Sequence, residues 1–143
     1  MNRTIFHLAF PVSDIEQTKS FYLDGLGCVA GRETRHALIL DLYGHQLVAH
    51  VTQEPLIEQR GIYPRHFGLI FTSQSDWDDL LARSQQQQLL FREEPKHRFV
   101  GSPLEHSTFF LEDPFYNLME FKYYRHAQSI FGNYEYALIG DSH

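Results

Sequence analysis

Three residues that could bind a metal stand within short apolar runs typical of β-strands. They are His7, His66 and Glu120. Side chains alternate between the two faces of a strand, so each of the three has mainly small or apolar neighbours on its own face. A polar side chain buried there must be hydrogen-bonded, paired or metal-bound, because leaving it unsatisfied costs about 1–3 kcal/mol. Two imidazoles and one carboxylate on rigid strands would leave coordination positions open, as in catalytic metal sites.

The elements that would position His7 follow the order strand, helix, strand, strand, strand. An S-x-x-E capping box, Ser13 with Glu16, predicts a helix that follows the first strand and ends at about Leu23. The three later strands are predicted at 29–33, 37–42 and 46–52, with a turn at 43–45.

The same order recurs after a linker at 53–64, which contains two prolines and a glycine. His66 begins a strand that runs to Phe71, and Ser75 precedes a helix. Further strands are predicted at 89–93, 98–101, 106–112 and 117–124. Because both the order and the letters repeat, with His7-Leu8-Ala9-Phe10 matching His66-Phe67-Gly68-Leu69, we predict an internal duplication.

The predicted fold is α+β, with two βαβββ modules in a single domain spanning 1–143. The first module covers about 4–52, the second about 65–124, and a C-terminal extension covers 125–143. At 43% hydrophobic residues the chain has ample apolar content to fold.

Composition excludes several kinds of partner. The net charge of −6 disfavours nucleic-acid binding, which needs a surplus of Lys and Arg on one face. No apolar stretch approaches the length of a membrane span, and no signal-peptide pattern opens the chain, so we expect a cytoplasmic protein without membrane contact. The single cysteine, Cys28, cannot form an internal disulfide, and nothing around it would make it reactive.

Several segments together resemble the vicinal oxygen chelate superfamily, which includes glyoxalase I, fosfomycin- and bleomycin-resistance proteins, methylmalonyl-CoA epimerase and extradiol dioxygenases. They are His7-Leu8-Ala9-Phe10-Pro11-Val12, His66-Phe67-Gly68 and the stretch from Asp113-Pro114 to Asn117-Leu118-Met119-Glu120-Phe121. The resemblance implies sheets that curl around a divalent metal, with ligands at the positions of His7, His66 and Glu120. One departure is Tyr116, which stands where the superfamily usually has a glycine.

The resemblance also implies a small-molecule substrate and a homodimer. In some dimers of this superfamily the modules are exchanged, so that His7 would come from one chain and His66 and Glu120 from the other. A single sequence does not separate these arrangements.

The number of ligands bears on the reaction. Glyoxalase-like members place a fourth ligand at the first-module position that corresponds to Glu120, and that residue is Val48 here, which cannot bind a metal. A shifted register would instead offer Gln46 or His50. Two His and one carboxylate form the facial triad of non-haem Fe(II) enzymes, so an extradiol-type ring-cleaving dioxygenase with Fe(II) is the favoured interpretation. Mn(II), Zn(II), Ni(II) and Co(II) remain as alternatives.

Catalysis at such a site would need an acid or base beside the metal. The candidates are His50, His97, His106 and Tyr124, with Tyr123 as a further phenol. We expect Lys96-His97-Arg98 to lie in a loop, and specificity to come from loops at 53–64 and 95–105.

Two other classes of protein stay open. One is a glyoxalase-like lyase or isomerase, or a fosfomycin-type transferase. The other is a metal-free drug-binding protein of the bleomycin-resistance kind, against which the intact set of two His and one Glu argues.

Overall fold

Each half of the chain forms a four-stranded mixed sheet in a computed structural model, which describes residues 4–140. The first sheet has the order β1-β4-β3-β2 and the second β5-β8-β7-β6. In both, the first strand of the half is parallel to the last, and the other neighbours are antiparallel. The strands are β1 (His7–Val12), β2 (Val29–Glu33), β3 (Ala37–Leu42), β4 (His45–Val51), β5 (Phe67–Phe71), β6 (Leu90–Arg98), β7 (His106–Glu112) and β8 (Leu118–Tyr124).

The identical topology of the two sheets confirms the predicted α+β fold and its duplication of a βαβββ module. Curling of the sheets around a metal stays a prediction.

The helices begin at residues other than those predicted. Helix α1 (Ile15–Lys19) is capped by Asp14, whose carboxylate accepts a hydrogen bond from the amide of Gln17 at 2.7 Å. The expected Ser13 cap was therefore wrong by one residue, because Asp14 is itself a strong capping residue and carries the charge that a helix N-terminus favours. The helix continues through a π-helical stretch, Ser20–Gly25.

Helix α2 (Gln74–Gln86) is capped by Ser73, which accepts from the Asp76 amide at 3.4 Å. Ser75, predicted to precede this helix, lies inside its first turn. Its hydroxyl is instead 2.8 Å from that of Ser73. After β8 a short 3-10 helix, Ala127–Ile130, begins the C-terminal segment.

Strand β6 corrects the prediction of two strands at 89–93 and 98–101. It is one strand, Leu90–Arg98, with register shifts near Glu93, and it lies at the edge of its sheet. An edge strand tolerates the missing N–H of Pro95, which lies between the two predicted strands. Lys96-His97-Arg98 therefore lies in a strand and not in the expected loop. The chain reverses after Arg98, where Phe99 has a φ of 52°.

Both sheets bury one face in a shared apolar core. On β8, for example, Met119 and Phe121 are fully buried, and the indole N–H of Trp77 in α2 donates to the Phe121 carbonyl at 2.9 Å. Burying each such side chain stabilises the fold by about 1.5–3 kcal/mol. The opposite face carries His7 in the first sheet and Glu120 in the second, because alternate residues of a strand point to opposite faces.

A network of polar side chains joins the two modules at the β7–β8 turn. The Tyr22 hydroxyl donates to Asp113 Oδ2 at 2.7 Å, and Asn117 Nδ2 donates to the Pro11 carbonyl at 2.9 Å. The Asp-Pro-x-x-Asn segment thus fastens the turn to the first module. Tyr116 has a φ of 69°, so the turn keeps the left-handed conformation of a glycine although the side chain is tyrosine.

Candidate functional site

His66 and Glu120 converge on the face of the second sheet that points away from the shared core. His66 Nε2 lies 3.1 Å from Glu120 Oε1, across 54 residues of sequence. The other polar atoms of the two side chains, His66 Nδ1 and Glu120 Oε2, are hydrogen-bonded to other residues. His66 Nδ1 donates to the Ile62 carbonyl at 2.6 Å, and Glu120 Oε2 accepts from the Thr108 hydroxyl at 2.5 Å. The facing nitrogen and oxygen are therefore fixed in direction.

Charge and burial oppose each other at this pair. The hydrogen bond to Glu120 raises the pKa of His66 above its usual value, although desolvation works to lower it. Burial works to raise the pKa of Glu120, but the hydrogen bond from His66, the charge of Lys122 and the hydrogen bond from Thr108 together hold that pKa below its usual value. The carboxylate is therefore anionic at neutral pH.

Close approach of β5 and β8 brings the pair together. Gly68 is the register partner of Glu120, and a methyl group on Gly68 would overlap the backbone carbonyl of Glu120. Glycine at this position lets the two strands, and hence His66 and Glu120, lie close to each other.

His7 is not brought to this pair within the chain. It is exposed at the start of β1, where its Nδ1 lies 2.6 Å from Gln46 Oε1. Within residues 4–140, no group of three or more His, Cys, Asp or Glu side chains is arranged to hold a metal. The two histidines nevertheless share one feature, because in each the Nδ1 contacts an oxygen and Nε2 is left for another partner.

The strand register fixes which first-module residue corresponds to Glu120. Val48 pairs with Ala9 in β1, as Glu120 pairs with Gly68 in β5. No shift of register therefore puts Gln46 or His50 in the corresponding place. Gln46 contacts His7 instead, and His50 is exposed opposite Pro11.

The remaining candidates for acid–base chemistry separate by sheet face. His106 and Tyr124 are register partners on the face that carries Glu120, with ring centroids 5.1 Å apart. Burial lowers the pKa of His106, whose Nδ1 donates to the Leu104 carbonyl at 2.9 Å. His97 pairs in register with Ser107 and so lies on the other face, where it contacts Glu105 at 2.8 Å.

Tyr123 also lies on the face opposite Glu120, since it is an odd number of residues away along β8. Cys28 is buried, and its burial raises the pKa of the thiol to about 12. At neutral pH this thiol is protonated and is not a nucleophile.

A cavity of about 310 Å³ adjoins His66 and lies at the seam of the two modules. Its wall includes Ala9 of β1, Gln59 and Tyr116. The linker segment beside it is fixed, because the Arg92 guanidinium donates to the carbonyls of Gln59 and Arg60 at 3.0 and 2.7 Å.

Neither Thr108 nor Lys122 was predicted from the sequence as a site residue. Both lie on the same sheet face as Glu120, as register partners of each other, and Lys122 Nζ is 3.9 Å from Glu120 Oε2. Alternation along β7 could have indicated Thr108, which lies two residues after His106 and hence on the same face.

Two βαβββ modules in tandem are the architecture of vicinal oxygen chelate proteins. The chain belongs to the Glyoxalase/Bleomycin resistance protein/Dioxygenase superfamily, whose family model matches residues 4–121. Members of this superfamily are mostly enzymes, typically bind divalent metals and often form dimers. In the described part of the chain, no helix is both long and apolar enough to cross a membrane.

Solved structures show the same architecture. A glyoxalase/bleomycin resistance protein/dioxygenase from Alicyclobacillus acidocaldarius is 37% identical, with a TM-score of 0.85, and the match covers 90% of this chain and 97% of that one. The fosfomycin resistance protein FosX from Listeria monocytogenes is 15% identical, with a TM-score of 0.69 over 90% of this chain and 99% of its own, and shares the fold alone. No protein with a curated description matches the chain in sequence.

Proposed function

We propose that this chain is a metal-dependent enzyme in which His66 and Glu120 of one copy, with His7 of a second copy, bind a divalent cation. The observation that carries the proposal is the convergence of His66 Nε2 and Glu120 Oε1 at 3.1 Å on the sheet face that points away from the shared core. Each of these side chains is held by a second partner, Ile62 or Thr108, as ligands in metal sites commonly are.

The donor set suits a divalent first-row metal. Because Nδ1 of His66 donates to a carbonyl, the neutral ring keeps its lone pair on Nε2, the nitrogen that faces Glu120. His7 has the same arrangement, with Gln46 as the oxygen partner of Nδ1. Two imidazole nitrogens and one carboxylate oxygen match the facial triad that favours Fe(II), and Mn(II), Zn(II), Ni(II) and Co(II) accept the same donors.

A second copy is required because the described chain does not bring His7 to His66 and Glu120. His7 is exposed on β1, so another molecule can reach it. In a homodimer in which the first module of each chain faces the second module of the other, each site would have one His7 and one His66–Glu120 pair.

For the reaction, we propose extradiol-type ring cleavage of a catecholic or other vicinal-oxygen substrate. A cation at this site would supply Lewis-acid polarisation of two adjacent substrate oxygens. Val48, at the position corresponding to Glu120, adds no fourth ligand and so leaves room for substrate. His106, kept neutral by burial and donating through Nδ1, has Nε2 as a proton acceptor on the same face.

Metal binding tests the first part of the proposal. Titration calorimetry with Zn(II) and Mn(II), and anaerobically with Fe(II), should show one site per chain. Glu120→Ala, His66→Ala and His7→Ala should each weaken binding by more than about 100-fold, because each removes one of three ligands. His36→Ala, an exposed histidine in the turn before β3, is the matched control and should bind like the wild type.

Oxygen consumption with Fe(II) and a panel of catechols tests the reaction. Absence of any metal affinity would sink the enzyme proposal and favour a metal-free drug-binding protein. Tight metal binding without oxidation of any catechol would instead overturn the dioxygenase assignment and point to a lyase or transferase.

A further inference from the structure

The C-terminal segment, residues 127–140, forms one wall of a second and larger cavity on the face of the second sheet that carries Glu120. The cavity has a volume of about 510 Å³, within the range of small-molecule sites. Its floor is formed by His106, Lys122 and Tyr124 of β7 and β8, and its roof by the C-terminal segment. The floor is continuous with Glu120, because Glu120, Lys122 and Tyr124 alternate along one face of β8.

Hydrogen bonds fasten the roof at its beginning. The Ser129 hydroxyl donates to the Pro103 carbonyl at 2.5 Å, and the amide of Arg125 donates to the Glu105 carbonyl at 3.1 Å. At the other end, Gly140 packs so closely on Tyr63 of the linker that a methyl group there would overlap the phenol oxygen. The segment therefore crosses this sheet face from the loop at Pro103 to the linker at Tyr63.

The wall of this cavity is mostly apolar and aromatic, and the charge that it carries is positive. Among residues 4–140, Lys122 is the charged side chain in the wall, and no carboxylate lines it. Its ammonium group lies 5.0 Å from the centroid of the Tyr124 ring and 3.9 Å from Glu120 Oε2, beyond hydrogen-bonding distance. The ammonium therefore has donors available for a ligand.

Two aromatic side chains of the C-terminal segment are largely exposed to solvent. Tyr134 is 89% exposed and Phe131 90% exposed, although both border the cavity. Apolar surface left open around one half-buried cation is complementary to a ligand with an apolar body and a single anionic group.

We propose that this cavity binds an organic acid with an aromatic or branched apolar body, whose anionic group lies on Lys122. The apolar body contacts the C-terminal segment. The acid group contacts Lys122, the next residue after Glu120 on the same face of β8. That this cavity is the substrate site rests on the proposed function, because a reaction there requires a metal bound nearby by His66 and Glu120.

Calorimetric titration with phenylacetate and with its neutral counterpart phenylacetamide tests the charge. Phenylacetate should bind the wild type at least about tenfold more tightly than the amide, as expected for a hydrogen-bonded ion pair in a partly buried site. Lys122→Met, which keeps the apolar stem, should lose about tenfold in affinity for phenylacetate. Lys122→Arg should retain most of it, and Tyr134→Ser should weaken phenylacetate and phenylacetamide alike.

Lys19→Met is the matched control, since Lys19 pairs with Glu33 at 2.8 Å and does not line the cavity. Circular dichroism checks that each variant is folded. Titrations run without metal and with Zn(II) separate this inference from the proposed function, because metal binding is measured independently. Equal binding of acid and amide, unchanged binding by Lys122→Met, or no phenylacetate binding under either condition would overturn the inference even if metal binds. Lys122-dependent binding in a chain without metal affinity would uphold it.

Discussion

At the scale of single residues, Thr108 orients the carboxylate of Glu120 in the candidate site. Its hydroxyl donates to Glu120 Oε2 and so leaves Oε1 facing His66. Without this hydrogen bond the carboxylate could rotate, and metal binding would be weaker because it would have to immobilise the carboxylate as well.

Thr108→Val should therefore lower metal affinity by about 10-fold, since it removes the hydroxyl with little change in shape. Thr108→Ser should restore most of the affinity, because the donor returns. Both are measured by calorimetric titration with Zn(II), with the unfolding midpoint recorded in parallel. A valine variant that binds zinc like the wild type would contradict the positioning role.

At the scale of elements, the separation of β5 and β8 sets the geometry of the pair. Gly68 has no room for a side chain against the Glu120 backbone, so any larger residue must push the strands apart. Such overpacking typically costs about 1–3 kcal/mol.

Gly68→Ala is expected to lower the free energy of unfolding by about that amount and to weaken metal binding together with it. Urea denaturation and zinc titration measure the two effects. Gly61→Ala is the control, because a methyl group on Gly61 meets no atom within 4 Å. If Gly68→Ala matched that control in both measurements, the close approach of the strands would not matter for the site.

Strand β6 and the two helix starts show where element prediction from sequence failed. The sequence pattern located both α-helices and seven of the eight strands, but it divided β6 in two and did not indicate the 3-10 helix Ala127–Ile130. The caps moved by one or two residues, since serine and aspartate neighbours compete for the same amides. β6 stayed continuous past Pro95 because only one of its edges is hydrogen-bonded, which no local pattern reveals.

At the scale of the whole molecule, the origin of His7 decides the architecture of the proposed site. If one copy supplies His7 and the other supplies His66 and Glu120, each mixed dimer of His7→Ala and Glu120→Ala chains has one intact site. The other site in that dimer then lacks both residues.

Refolding these two variants together should restore about one quarter of the wild-type zinc-binding capacity, since random pairing makes half of the dimers mixed. Each variant refolded alone is the control and should bind weakly. Capacity that stays at the level of the separate variants would mean that the ligands are not shared between chains.

The sequence by itself determined the class of fold and the duplication, and it supplied the residues that we propose as metal ligands. Those inferences rest on local signals: alternation along strands, helix periodicity, and matching letters in His7-Leu8-Ala9-Phe10 and His66-Phe67-Gly68-Leu69. The Asp-Pro-x-x-Asn segment added the resemblance that the family model confirms.

Only the tertiary structure decided what surrounds those residues. Gln46 became the partner of His7, Thr108 that of Glu120, and Lys122 the cation of a cavity under the C-terminal segment. These contacts depend on strand register and on segments that meet after long separations, such as the 54 residues between His66 and Glu120. Local preference carries no information about such meetings, because they are fixed by how the sheets pack as a whole.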